Sequence, residues 1–113
     1  MSQIDATLAA LADPMRRRVV ERLRRGPRRA GELAAAEGVS APAMSRHLRV
    51  LRTRGIVDES RDEADARARV YHLRPEKLRD LQAWVKEFES FWSEQLDAFA
   101  AHAARRARRK SSR

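Results

Sequence analysis

At 113 residues the chain has room for one domain and a modest core, and its 25 lysines and arginines against 16 aspartates and glutamates leave a net charge of +9, which favours nucleic acid or another acidic partner. There is no cysteine, which excludes disulfides and thiolate metal sites and suits a reducing cytoplasm. The opening residues MSQIDATLAA lack the basic and apolar segments of a secretion signal, and no apolar run approaches the roughly 20 residues needed to cross a bilayer.

The basic excess is concentrated in two places. Residues 24–54 hold eight arginines against two glutamates, and Arg105–Arg113 hold six basic residues and no acidic one. Residues 1–104 are expected to form the domain, and 105–113 a basic, disordered tail.

In chain order, Ile4, Leu8 and Leu11 make the apolar stripe of a first helix. Asp13 is placed to cap a second helix with Pro14 in its first turn. Val19, Val20 and Leu23 face inward there, and Gly26-Pro27 ends it. A short helix is expected around Glu32–Ala36, closed by Gly38. The segment SAPAMSRHLRVLRTRGIV then reads as a longer helix, capped by Ser40, begun with Pro42 and stopped at Gly55. Met44, Leu48 and Leu51 form its apolar stripe. Its other side carries Ser45, Arg46, Arg49 and Arg52, and no acidic residue occurs from Ser40 to Val57. A solvated face ordinarily mixes both signs, so this one is suited to meet something negative.

The period then changes. Ile56-Val57 and Val70, Tyr71 and Leu73 read as two short strands joined by a polar hairpin loop. Pro75 opens a last helix in which Leu78, Leu81, Val85, Phe88, Trp92, Gln95 and Phe99 follow a three-four alternation that only Gln95 interrupts, widened by Trp84, Phe91 and Leu96. The fold class is therefore mainly α with a small β-hairpin wing, and the order short helix, tight turn, basic helix is a helix-turn-helix. That unit places its second helix in the DNA major groove, where guanidinium groups bind phosphates or read guanine.

The segments LADPMRRRVVERL, GELA, MSRHLRVLRTRGIV and RVYHL resemble the ArsR/SmtB family of winged helix-turn-helix repressors, over about Leu8 to Leu81. The resemblance implies a homodimeric, DNA-binding transcriptional repressor dimerised through its first and last helices, with a double-stranded operator as partner. The implied interface comprises Ile4, Leu8, Leu11, Leu81, Val85, Phe88, Trp92 and Phe99. The implied DNA-binding set is Ser40, Ala41, Pro42, Ser45, Arg46, His47 and Arg49 on the helix, with Arg67 and Arg69 on the wing. Many family members sense metals through a cysteine pair whose positions align here with Arg29 and Gly31. Others use Asp and His pairs on the last helix, which here has Asp80 and Asp97 but no histidine before His102. No metal or other cofactor is expected, and the inducer is left as an unknown small molecule or protein. The wing segment DESRDEADARAR, with five acidic residues, also departs from an arginine-only contact.

Enzyme readings find little support. There is no glycine-rich phosphate loop and no H-E-x-x-H pair, and Ser45 and His47, two apart on a helix, do not face each other. His47 has two readings, a phosphate contact or a packing cap; His72 and His102 are isolated. Two functional alternatives stand beside the repressor. One is a protein-interaction module built on a winged helix. The other is a non-specific basic DNA-binding protein relying on its tail.

Overall fold

The computed structural model describes residues 2–111, in two units. The first, residues 2–81, contains α1 (Gln3–Leu11), α2 (Pro14–Arg24), β1 (Arg28–Arg29), α3 (Ala30–Glu37), α4 (Ala41–Thr53), β2 (Val57–Arg61), β3 (Arg69–Leu73) and the start of α5 (Pro75–Ser111). The second, from Gln82 onward, is the remainder of α5.

Side-chain caps set the first two helices. The Ser2 hydroxyl accepts from the Asp5 amide at 3.1 Å while the Asp5 carboxylate accepts from the Ser2 amide. Asp13 Oδ1 accepts from the Met15 and Arg16 amides at 2.8 and 3.1 Å, so the expected cap is present, with Pro14 beside it. Arg16 then reaches back, donating from Nε to the Ala10 carbonyl at 2.6 Å. One guanidinium thereby satisfies the otherwise unpaired end of α1 and fixes its angle to α2.

The core is built from Val19, Leu23, Leu33, Met44, Leu48, Leu51, Ile56 and Val57. Met44, Leu48 and Leu51, the stripe expected of α4, are essentially inaccessible. Truncating such a leucine to alanine costs roughly 2–5 kcal/mol. Val20 is partly buried against the core rather than within it. In α1 the buried residues are Thr7 and Ala10, whereas Ile4 and Leu11 are half-buried and Leu8 is 40% exposed. Thr7 tolerates burial because its hydroxyl donates to the Gln3 carbonyl at 3.0 Å.

The sheet differs from the expected two-stranded hairpin. It has three antiparallel strands in the order β1-β3-β2, with Arg28 opposite Tyr71, Arg29 opposite Val70, and Val57 through Arg61 opposite Leu73 through Arg69. Both wing strands extend further into the polar loop than hydrophobicity indicated, because ladder hydrogen bonds need no apolar side chains. The loop's acidic residues have structural work: Asp62 Oδ1 accepts from the Ala64 amide and Asp65 Oδ1 from the Arg67 amide, two Asx turns that shape the tip.

In the second unit the helix carries Phe88, Phe91, Trp92, Leu96 and Phe99 at 47–71% exposure. Trp84 packs against Phe88 in a tilted arrangement, with ring centroids 4.9 Å apart and planes at 58°. The helix α5 runs to Ser111; alanine and arginine are strong helix formers, and no Gly or Pro interrupts the run after Pro75. Ser112 and Arg113 lie outside the described residues.

Candidate nucleic-acid interface

The turn between α3 and α4 follows from one glycine. Gly38 has φ +66°, its amide donates to the Ala35 carbonyl, and the next amide, Val39, donates to Ala34, the paired bonds of a Schellman motif. Ser40 then caps α4, accepting from the Ala43 amide at 3.2 Å. Three residues, Gly38 to Ser40, thus join α3 to α4.

Glu37 locks this arrangement to the body. It sits in the last turn of α3, where the helix dipole disfavours an acid. Its carboxylate accepts from Arg22 Nε at 2.9 Å and Arg18 Nε at 3.0 Å, and only 8% of its side chain is exposed. The Arg22 hydrogen bond, with that of Arg18, holds the Glu37 carboxyl below its ordinary range despite burial. An acid in the last turn of a helix is the sequence signal that it needs paired cations, here the half-exposed Arg18 and Arg22.

The polar face of α4 has the expected composition. Ala41, Pro42, Ser45, Arg46 and Arg49 are exposed, and among the described residues Arg46 and Arg49 make no side-chain hydrogen bond or ion pair. Ser40 is exposed at the helix entry. His47 turns inward instead: it is half-buried, and its Nδ1 lies 3.5 Å from Arg16. His47 is thus placed beside α2, while Arg46 next to it is exposed.

The wing arginines part company. Arg67 is exposed at the tip and has no side-chain partner among the described residues. Arg69 is paired with Glu59 at 3.1 Å, and the same carboxylate takes Arg52 Nη1 at 2.5 Å and the Tyr71 hydroxyl at 2.9 Å. Burial, then the nearby Glu59 carboxylate, raises the Tyr71 hydroxyl's pKa. At the other flank Arg29 pairs with Asp62, joining the start of α3 to the wing tip. The Ala64 amide and then the Arg29 guanidinium hold the Asp62 carboxyl below its ordinary range. Arg29 stands at one of the two positions aligned with sensor cysteines, and here it is a structural tie. Among the described residues, no three His, Cys, Asp or Glu side chains converge as metal ligands would, and no helix is long and apolar enough to cross a membrane.

A basic helix presented by a helical scaffold through a tight turn, with a β-hairpin beside it, defines a winged helix-turn-helix protein. A family model described as a helix-turn-helix domain matches residues 11–60. The HTH-type transcriptional regulator Rv2034 of Mycobacterium tuberculosis is 42% identical over 96 residues, covering 85% of this chain and 84% of that protein. A crystal structure of the ArsR family transcriptional regulator RHA00566 superposes with a TM-score of 0.72 at 30% identity, covering 81% of this chain and 98% of that one. The solution structure of a homodimeric winged helix-turn-helix DNA-binding domain from Mycobacterium bovis, a possible ArsR-family regulator, matches with a TM-score of 0.62 at 25% identity, covering 78% of this chain and 79% of that one. The chain belongs to the ArsR family and is a DNA-binding transcriptional regulator.

Proposed function

We propose that this regulator is a homodimeric cytoplasmic repressor that reads an inverted-repeat operator and acts by binding rather than by catalysis. The observation that carries the reading is the acid-free face of α4, where Arg46 and Arg49 stand exposed and unpaired. An unpaired guanidinium on a helix surface retains all its donors for guanine or phosphate. In this reading Arg46, one turn from the helix start, contacts a base edge. Ser40, Ala41, Pro42, Ser45 and Arg49 line the groove and its phosphates, and Arg67 meets the flanking backbone. Arg69 joins them only through its pair with Glu59, and His47 supports α4 from behind.

The dimer is supported by apolar surface that neither unit covers by itself. Leu8 is exposed on α1 between half-buried Ile4 and Leu11. Leu81 is half-buried, and Val85, Phe88, Trp92 and Phe99 are 40–71% exposed on α5. Aromatic side chains of this size are ordinarily covered by a partner. Duplicated recognition helices about 34 Å apart, or a multiple of that, match half-sites one DNA turn apart. Residues 105–113 add a basic extension, which this reading leaves outside sequence recognition.

A gel-shift on the DNA upstream of the protein's own coding sequence tests the reading. Arg46→Ala should cost about 1–3 kcal/mol on the bound site and far less on random duplex. Arg67→Ala should weaken both alike and flatten the salt dependence by roughly one unit of slope. If deletion of 105–113 abolished binding while Arg46→Ala left it unchanged, the chain would be a non-specific basic binder.

A further inference from the structure

Between α4 and the wing lies a cleft of about 520 Å³ lined by Ser45, Arg49, Arg52, Glu59, Arg69 and Tyr71 among others. Glu59 is its one acidic wall residue, and only 17% of that side chain is exposed. Both carboxylate oxygens are engaged: Oε1 by Arg52 and Arg69, Oε2 by the Tyr71 hydroxyl. Arg52 and Arg69 are themselves 53% and 56% exposed, so each keeps donors turned to solvent. Arg52 continues the line Ser45, Arg49, Arg52 at helical spacing along the outer face of α4, and Arg69 faces it from β3.

We propose that Glu59 is an internal counter-ion of the DNA-facing surface: its carboxylate holds Arg52 and Arg69 at the mouth of this cleft, where they meet a DNA backbone phosphate when the duplex docks. The inference rests on the DNA-binding reading of α4 and adds a phosphate subsite between helix and wing. The guanidiniums are about half-exposed while the carboxylate is 17% exposed, so a phosphate arriving at the mouth bonds the solvent-facing donors that Arg52 and Arg69 keep, and the carboxylate stays in place. At longer range the carboxylate cancels one arginine's charge. Loose, purely electrostatic association with duplex DNA is therefore weaker than the arginine content of the face implies. Glu59 is a positioning residue, acting on DNA through the two arginines it holds.

The test measures affinity for a random-sequence 30-base-pair duplex across a salt series, using the full chain. Glu59→Gln keeps the size, leaves one acceptor oxygen where the carboxylate has two, and removes the charge. It should tighten binding about fivefold near 0.1 M salt and steepen the salt slope by about one unit. Arg69→Ala should change affinity little in the wild-type background and several-fold in the Glu59→Gln background. Tyr71→Phe, which removes the hydroxyl bond but no charge, should leave the slope unaltered; this separates a charge effect from a loosened wing. Equal effects of Arg69→Ala in both backgrounds, or an unchanged slope in Glu59→Gln, would overturn the counter-ion role while leaving DNA binding by α4 standing. Failure of the wild-type protein to bind any duplex at low salt would instead remove the DNA-binding reading itself, and the proposal with it.

Discussion

Replacing Glu37 by glutamine perturbs the joint between the helix-turn-helix and the rest of the fold without changing its shape. The native carboxylate takes hydrogen bonds from Arg18 and Arg22 at 3.0 and 2.9 Å and is 8% exposed, whereas its partners are 54% and 42% exposed. Fully buried, each bond to a charged group contributes about 1.5–3 kcal/mol; fully exposed, such a pair contributes under about 1. The mixed exposure places the combined loss at about 1–2 kcal/mol. For a domain of this size that is a fall in Tm of roughly 5–15 °C. Thermal unfolding followed by circular dichroism, at one fixed protein concentration because association adds stability, reads it directly. The pH dependence supplies a second check. The Arg22 hydrogen bond, with Arg18, holds the Glu37 carboxyl below its ordinary value of 4.5, so its contribution is complete above that pH and disappears as pH falls through the folded-state value. The gap between wild type and Glu37→Gln should therefore be constant from pH 7 to pH 5 and close in more acid solution. Glu21→Gln, which touches only the solvent-exposed pair with Arg24, is the control and should shift stability by less than about 0.5 kcal/mol. No gap at pH 7, or one that persists unchanged at pH 3, would refute the reasoning.

Three further outcomes are expected. Sedimentation of the wild type at micromolar concentration should give a dimer, and Phe88→Asp or Trp92→Asp a monomer or an aggregate; a stable wild-type monomer would contradict the interface. Gly38→Ala should cost about 1–2 kcal/mol in urea unfolding, from backbone strain at φ +66° alone, because a Cβ there meets no atom within 4 Å. Zinc, cadmium or arsenite at low micromolar levels should leave DNA retention unchanged in a filter-binding assay, and a stoichiometric, chelator-reversible release would reveal a ligand set shared between subunits.

The helix α4 was legible because its signals are local: Ser40, Pro42 and Gly55 mark the ends, and Met44, Leu48 and Leu51 mark the buried side. The same holds for Asp13 and Pro14 at the start of α2 and for Gly38 in the turn. What escaped was non-local. Arg28 and Arg29 form a strand only because β3, some forty residues on, offers an edge to pair with. The partners of Glu37 lie 15 and 19 residues away, and those of Glu59 come from both α4 and β3. Of the nine residues expected on the DNA side, Arg46, Arg49 and Arg67 are exposed and unpaired. His47 and Arg69 are held by Arg16 and Glu59, a distinction that composition and spacing do not carry. The apolar stripe of α5 is legible in the same local way, from the spacing of its leucines and aromatics.

The strand order β1-β3-β2 leaves β2 as a sheet edge, on which the Asp58 carboxylate already takes the Glu59 amide. An edge of that kind invites strand exchange and aggregation between copies of a protein that must remain dispersed to search DNA. The sequence of β2, Val57-Asp-Glu-Ser-Arg61, answers this with three charged residues in five and one apolar side chain, which is buried at the start of the strand. The same polar composition that hid the outer residues of β2 from the hydrophobic pattern thus guards the strand against self-association. Stripping it of charge, for instance by Asp58→Val with Arg61→Val, would be expected to convert the wing into a sticky edge long before it unfolded the domain.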